Sequence, residues 1–340
     1  MTDLIIDWYL ANKRDLPWRD TTNPYYIWLS EIILQQTRVV QGLDYYLRFV
    51  SKYPTIVDLA NAEEDEVLRL WQGLGYYSRA RNIHATAKFV RDNYEGIFPS
   101  TYEEVLALKG IGPYTAAAIC SFAYRLPYPA VDGNVFRVIS RLFAVEEPID
   151  TSSGKKIFTA YAEEMMDVKH PDLFNQAMME FGAMQCTPQS PACQVCPLLD
   201  KCRAYELNLV KLLPIKSNKT KVRPRYLHFF DFGDKEYVYL QKRGVTDIWR
   251  GLYQLPLIES ENEELSLDKF KNTFSIDEDI INISNVANYK HVLSHQTLHC
   301  SFYKVDSLPA ADLSEFTRIL LSELDEYPLP RVMEKYFEKR

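Results

Sequence analysis

Apolar residues recur three and four positions apart over Glu63 to Trp71 and Tyr102 to Leu108, the spacing of a helix with one buried face. Helical patterning of this kind prevails through the first two thirds of the chain and then gives way to strands. Tyr226-Leu-His-Phe-Phe-Asp-Phe, the turn Gly233-Asp234 and Glu236-Tyr-Val-Tyr-Leu-Gln read as a β-hairpin, and His291 to Cys300 reads as one further strand. Between the two regimes, Lys211 to Arg225 reads KLLPIKSNKTKVRPR, basic, free of acids and twice interrupted by proline, which is linker composition. The pattern predicts a multi-domain chain: an all-α domain over 1–210, a basic linker over 211–225 and an α/β domain over 226–340.

With 340 residues, 47% of them hydrophobic, the chain can bury two cores. Its first residues, Met1-Thr-Asp-Leu-Ile-Ile-Asp, show no basic region followed by an apolar stretch, and no run is long enough to span a bilayer. A cytoplasmic protein without a membrane partner is therefore expected. The net charge of −7 argues mildly against nucleic acid, although total charge says little about where basic residues cluster.

Four of the six cysteines are spaced Cys186-x6-Cys193-x2-Cys196-x5-Cys202. Four thiolates in one short loop suit either an iron-sulfur cluster or tetrahedral zinc, with disulfides as the competing reading. Zinc knuckles usually carry two Cys-x2-Cys pairs; one such pair between wider gaps favours a 4Fe-4S cluster over 186–202. Cys120 and Cys300 sit in apolar surroundings and read as core thiols.

Leu108-Lys-Gly110-Ile-Gly112-Pro113-Tyr114-Thr-Ala places two glycines and a proline between an ending helix and an apolar one. Such a turn can offer free backbone N–H groups to a phosphate, or it can be a plain helix-helix connection. Gly73-Leu74-Gly75-Tyr76-Tyr77-Ser78-Arg79 is a related turn, readable as a nucleic-acid contact aided by Arg79 and Arg81 or as a core aromatic pair. Glu31 has Ile27, Trp28, Leu34 and Gln35 three and four residues away, a largely apolar helix face that would raise its pKa and suit a general acid; a surface position is the alternative. Asp132, in Val131-Asp132-Gly133-Asn134, can cap a helix and stay ionised near backbone donors, with or without a catalytic role.

Taken in order, SEIILQQTRV, GLGYYSRA, LKGIGPYTAAA, AVDGNVFRV, FNQAMMEFGA and the cysteine ladder resemble the adenine DNA glycosylases of the MutY type, in the helix-hairpin-helix glycosylase superfamily. The resemblance covers essentially the whole chain. It implies a monomer that acts on double-stranded DNA containing adenine opposite 8-oxoguanine and holds one 4Fe-4S cluster. It implies that Glu31 protonates the departing adenine, that Asp132 stabilises the oxocarbenium-like sugar, and that Tyr114 and Asn134 support the aspartate and the sugar. The base must leave the stack. Gln36, Tyr76 and, less closely, Leu74 match residues that wedge into the duplex, with Gly110, Gly112 and Arg79 on the DNA backbone; Trp18, Arg19 and Gln176 match the adenine pocket. Related endonuclease III enzymes carry a Schiff-base lysine where this chain has Tyr114, so the resemblance implies a glycosylase without lyase activity. A lyase and a non-enzymatic iron-sulfur electron carrier are the alternatives.

Ile248-Trp-Arg-Gly-Leu-Tyr-Gln-Leu-Pro256 resembles the family's Nudix-like lesion-recognition domain, here over 226–340, and the following residues lack the glutamate-rich helix a magnesium-dependent hydrolase needs. Leu293, Ser294 and His295 match the 8-oxoguanine-reading loop, where relatives usually have phenylalanine in place of Leu293. His291 and His299 on one extended strand would lie ~26 Å apart, too far for a shared zinc. The loop Thr187 to Ala192 carries none of the basic residues that relatives place there. Compensating positive charge is therefore expected from the connector, including Lys216, Lys219 and Lys221, together with Arg79, Arg81 and Arg137.

Overall fold

A computed structural model describes residues 1–217, 222–276, 282–305 and 313–340. Lys219 and Lys221 of the connector lie outside the described residues. Fourteen α-helices are described: α1 (Thr2–Asn12), α2 (Pro24–Leu34), α3 (Val39–Lys52), α4 (Ile56–Asn61), α5 (Glu64–Trp71), α6 (Ser78–Asn93) and α7 (Tyr102–Ala107). They continue as α8 (Pro113–Tyr124), α9 (Gly133–Phe143), α10 (Ser152–Met165), α11 (Pro171–Met184), α12 (Arg203–Glu206), α13 (Leu267–Thr273) and α14 (Arg331–Phe337). The strands are β1 (Arg223–Asp231), β2 (Tyr237–Lys242), β3 (Tyr253–Gln254), β4 (Leu257–Ser260), β5 (Ile283–Val292), β6 (Gln296–Val305) and β7 (Thr317–Leu320). None of the described helices is long and apolar enough to cross a membrane.

Contacts divide the chain into two units, Met1–Asn61 with Asn82–Lys219 and Ala62–Arg81 with Thr220–Arg340. The first unit is helical. Asn23 starts α2 by accepting from the Tyr25 amide, with Pro24 preset for the first turn. This helix buries Ile27, Trp28, Leu29, Ile32 and Ile33 against α3 and α8, each side chain contributing on the order of 2 kcal/mol. A helix apolar on nearly every side is a central one, and Glu31 rides on it. Helices α1, α9, α10 and α11 close a second core around Phe158, Phe174 and Phe181.

The segment Lys211–Ser217 is anchored: Leu213 is buried and its carbonyl accepts from Arg141, and the Ile215 carbonyl accepts from the Ile149 amide. At the other end of the expected linker, Arg223 to Arg225 already belong to β1, and Arg225 is buried between Asp247 and Glu259. Lys211 and Lys216 remain exposed.

The second unit has one sheet ordered β4-β1-β6-β5 and another ordered β3-β2-β7. β1 runs parallel to β6, with Leu227 opposite Cys300 and Phe229 opposite Phe302. Both its faces are covered: Leu227 and Phe229 meet Val332 and Tyr336 of α14, while Phe230 meets Phe270 and Phe274 on the other side.

Two strand expectations are corrected here. β1 and β2 do not form a hairpin, because β1 pairs with β4 and β6, and β2 with β3 and β7. Buried Asp231, accepting from the Gly233 amide, Tyr336 and Arg340, fixes the bend that carries the chain from one sheet into the other. Residues 291–300 are two strands, β5 and β6, reversing at Ser294-His295, where the Leu293 amide donates to the Gln296 carbonyl (2.8 Å). His291 and His299 are therefore not separated by the ~26 Å of one extended strand. They still do not converge on a zinc, because His291 pairs with Leu298 and His299 with Lys290, so the two imidazoles leave opposite faces of the sheet.

Residues 62–81 join the second unit through Lys242 on Asp65 (2.7 Å), Tyr77 donating to the Leu329 carbonyl (3.1 Å) and Gln72 accepting from the Leu329 amide (3.0 Å).

In the first unit, Glu180 of α11 ties down the chain after α1. Burial raises its pKa, but hydrogen bonds from Arg14 and Arg19 outweigh burial and bring it to about 2. A depressed folded pKa gives stability that is complete above about pH 4.5 and lost as pH falls towards 2, worth roughly 3 kcal/mol. Thermal melts of Glu180→Gln should therefore lie below wild type at neutral pH and converge with it as the pH falls through this range; an equal deficit at both ends would rule this linkage out.

Candidate active site

A cavity of about 610 Å³ in the first unit brings together Glu31, Tyr114, Asp132, Asn134, Gln36, Trp18, Arg19 and Gln176. Glu31 enters from α2 and Tyr114 from the first turn of α8, which begins at Pro113 after the Gly112 cap. The Tyr114 hydroxyl donates to Glu31 Oε2 at 2.7 Å. Burial pushes the Glu31 carboxyl up to about 7; the Tyr114 hydrogen bond and the Arg19 charge oppose this, and the Asp132 charge adds to it. Tyr114 is itself pushed well up by burial and by Glu31, so it stays a neutral phenol and a donor.

Asp132 caps α9. Its Oδ1 accepts from the Asn134 and Val135 amides (2.9 and 2.8 Å) and its Oδ2 from Asn134 Nδ2 (2.7 Å). Burial raises its pKa against these donors. Three donors to Asp132 against one to Glu31 make Asp132 the first of the pair to ionise, leaving the proton on Glu31. Asn134 is held in turn by Arg137, which donates to its Oδ1 (2.8 Å) and to the carbonyls of Gly182 (2.6 Å) and Cys186 (2.7 Å). At Gly182 a Cβ would stand 2.6 Å from Asn134 Cβ, so the glycine is what lets α11 approach α9. Arg137 is thus buried and fully engaged, and the expectation that it adds surface charge is corrected.

The walls are set by partners that sequence reading missed. Glu180 fixes Arg19 with two hydrogen bonds (3.0 and 2.7 Å), and Tyr9 donates to Gln176 Oε1 (2.6 Å). The signal available was a lone glutamate inside Phe174-Asn-Gln-Ala-Met-Met-Glu180-Phe-Gly, a buried charge in need of a cation. Trp18 packs edge-on against Tyr46, and Gln36 holds a left-handed φ of 56° at the cavity margin.

All six cysteines are free thiols. Cys186, Cys193, Cys196 and Cys202 line one small cavity with Arg141, which donates to Cys186 Sγ (3.4 Å) and to the Thr187 and Pro188 carbonyls. Among the described residues no three His, Cys, Asp or Glu side chains are gathered closely enough to hold a single metal ion. Four thiols around a shared cavity, with no carboxylate or imidazole in its lining, fit a polynuclear sulfur-ligated group by donor chemistry.

The remaining predicted contacts lie elsewhere. Gly110 and Gly112 are exposed in the α7–α8 turn; Gly110 has φ of 82° and a Cβ there would meet Asn82 at 2.7 Å, so both conformation and space demand glycine. Tyr76, Leu74 and Arg79 belong to the second unit. Tyr76 is 47% exposed with φ of 47°, and its hydroxyl lies 2.7 Å from Ser294 Oγ. Leu74 is buried and presents no wedge. Arg79 is buried as well, stacked over Trp71 (5.1 Å) and Tyr76 (5.5 Å), and burial lowers its pKa to about 10; it supports the turn where a phosphate contact was expected. Arg81 donates to the Arg250 carbonyl (2.7 Å). Ser294 and His295 are exposed at the tip of the β5–β6 hairpin beside half-buried Leu293.

Residues 29–163 match the family described as HhH-GPD superfamily base excision DNA repair protein, and residues 229–339 match the NUDIX domain. The adenine DNA glycosylase of Buchnera aphidicola subsp. Baizongia pistaciae is 38% identical over 297 residues, 87% of this chain and 83% of that protein. Among solved structures, a thermostable thymine-DNA glycosylase superposes with a TM-score of 0.57 at 29% identity, covering 61% of this chain and 95% of its own. An endonuclease III in a non-covalent complex with DNA does so with a TM-score of 0.54 at 25% identity, covering 61% and 94%. A paired-carboxylate cavity in a helix-hairpin-helix unit, a Nudix-like second unit and this similarity along most of both chains lead to one conclusion: the chain belongs to the adenine DNA glycosylase family.

Proposed function

We propose that this protein hydrolyses the N-glycosidic bond of adenine mispaired with 8-oxoguanine or guanine in double-stranded DNA, leaving an abasic site. The observation that carries the reading is Glu31, raised to about 7 and hydrogen-bonded by Tyr114 in the same cavity as Asp132. Near neutral pH Glu31 retains a proton to give to the departing base, while the Asp132 carboxylate, on its three donors, faces the cation that develops on the sugar. A base in a duplex reaches such a cavity only by flipping out of the stack. Among the described residues no lysine lines the cavity, and the Tyr114 phenol cannot form a Schiff base, so strand cleavage is not part of the reaction. Recognition of 8-oxoguanine is assigned to Ser294 and His295 at the hairpin tip, with Tyr76 beside Ser294 as the stacking residue.

Cys186, Cys193, Cys196 and Cys202 would hold a 4Fe-4S cluster, which would supply a covalent clasp across 186–202. Arg141 and Arg137 on α9 bond the start of that loop, so the clasp and the Asp132 cap share a helix.

Excision should be measured on duplexes with adenine opposite 8-oxoguanine, guanine or thymine. Glu31→Gln is expected to bind the mispair and lose about a hundredfold or more in excision rate. Because a carboxyl raised from 4.5 to about 7 costs stability as pH rises through that range and leaves the full cost in place above it, this variant should also melt higher than wild type in alkaline buffer. Asp132→Asn should be similarly slow, and borohydride should trap no covalent complex. Full excision by Glu31→Gln, or stoichiometric trapping, would overturn the reading.

Metal analysis tests the cysteine assignment separately. Purified protein should contain iron and acid-labile sulfide in equal amounts, and Cys196→Ser should lose both together with thermal stability; stoichiometric zinc without sulfide would contradict it.

A further inference from the structure

Helix α11 places two methionines side by side in opposite surroundings. Met178 is fully buried in the second core, the ordinary use of a flexible thioether as filler. Its neighbour Met179 is half-buried and lines the paired-carboxylate cavity. The Met179 Sδ lies 3.3 Å from the Tyr114 hydroxyl, the same hydroxyl that stands 2.7 Å from Glu31 Oε2. Sulfur and carboxyl oxygen therefore compete for a single phenolic proton, and the proposed mechanism gives the sulfur no part.

The outcome of that competition decides where the Glu31 proton sits. A thioether is a weak acceptor and a carboxyl oxygen a good one, so the phenol donates to Oε2. A second proton cannot occupy the same short contact, so protonated Glu31 carries its own on Oε1, free for a base to accept. Were the phenol to donate to sulfur, Oε2–H would turn to the phenol oxygen and the proton would be held inside the protein. The weakness of sulfur as an acceptor thus leaves the general acid a proton to give.

Oxidation removes that weakness. Hydrogen peroxide is scarcely larger than water and can enter a cavity of about 610 Å³. The sulfur lone pair attacks one peroxide oxygen, the O–O bond breaks, S=O forms and the other oxygen leaves as water after proton transfer. Sulfur gives up an electron pair and the peroxide is reduced by it. The sulfoxide oxygen is a strong acceptor, carried on a sulfur already 3.3 Å from the phenol.

We infer that Met179 is a reversible oxidation site: as a thioether it leaves the Tyr114 proton to Glu31, and as a sulfoxide it withdraws that proton and stops delivery to the base. The inference rests on Glu31 acting as the general acid.

Excision by wild type and by Met179→Leu, a change that nearly keeps volume, should be measured before and after hydrogen peroxide, with oxidised methionines located by peptide mass. Wild type should gain an oxygen on Met179 and lose about tenfold or more in rate, and methionine sulfoxide reductases for both epimers should restore it. Repair by these enzymes separates the sulfoxide from damage to thiols. Treated Met179→Leu should keep most of its own untreated rate. In oxidised wild type the falling limb of rate against pH should move upward, because Oε2–H donating to the phenol favours the protonated carboxyl. Asp132 and Arg19, the other charges acting on Glu31, are unchanged by the oxidation, and lost packing alone would leave the limb in place. Untreated excision tests the glycosylase reading by itself, and the mass of the Met179 peptide does not depend on activity. The inference is overturned if Met179 resists peroxide while exposed Met1 and Met184 are oxidised, if its sulfoxide leaves rate and limb unaltered, or if treated Met179→Leu loses rate as wild type does.

Discussion

Two carboxyl groups enclosed in one cavity cannot both ionise without strong mutual cost, and the first unit is arranged around how Glu31 and Asp132 divide that charge. The division is made by backbone geometry. Asp132 stands at the start of α9, where amides with no helical partner point at it, whereas Glu31 sits mid-helix on α2, where every amide is already used. One phenol, Tyr114, is the donor Glu31 receives from a side chain. Proton on one side and charge on the other follow from where each residue falls in its helix.

Helix α9 extends this constraint outward. Its first turn holds Asp132 through Asn134, its next holds Asn134 through Arg137, and a turn further Arg141 reaches the cysteine loop. Arg137 and Arg141 are buried and spend their donors on main-chain carbonyls, a use of arginine that stabilises loop backbone where no secondary structure can. Across α11, the absence of a side chain at Gly182 sets the separation. The position of the ionised carboxylate therefore depends on packing well beyond the cavity, and a clasp over 186–202 would brace the same helix.

Local patterns carried much of this in the sequence. The apolar neighbours of Glu31 made a buried carboxyl one of two readings, beside a surface position, and Gly112-Pro113 and Asp132-Gly133 marked the helix starts that aim Tyr114 and the Asp132 carboxylate. What escaped was set by distant partners. The Gly233-Asp234 turn is real, but whether the strands beside it pair is decided by β6 and β7, sixty or more residues away, and by buried Asp231. The Ser294-His295 reversal lacks the Asn-Gly or Asp-Gly signal of a tight hairpin, so two strands read as one. Arg79, Arg137 and Arg225 look alike in sequence as positive charges; only their partners, aromatic rings, carbonyls and carboxylates, show that none is free to meet a phosphate.

On the proposed reading Glu31 carries the proton and Tyr114 tunes it, and single-turnover excision against pH tests this division. Wild-type rate should fall as pH rises through about 7, where Glu31 ionises. Tyr114→Phe removes the hydrogen bond that favours the carboxylate, so its falling limb should move to higher pH. A rate independent of pH across neutrality, or a limb that moves to lower pH in Tyr114→Phe, would contradict the account.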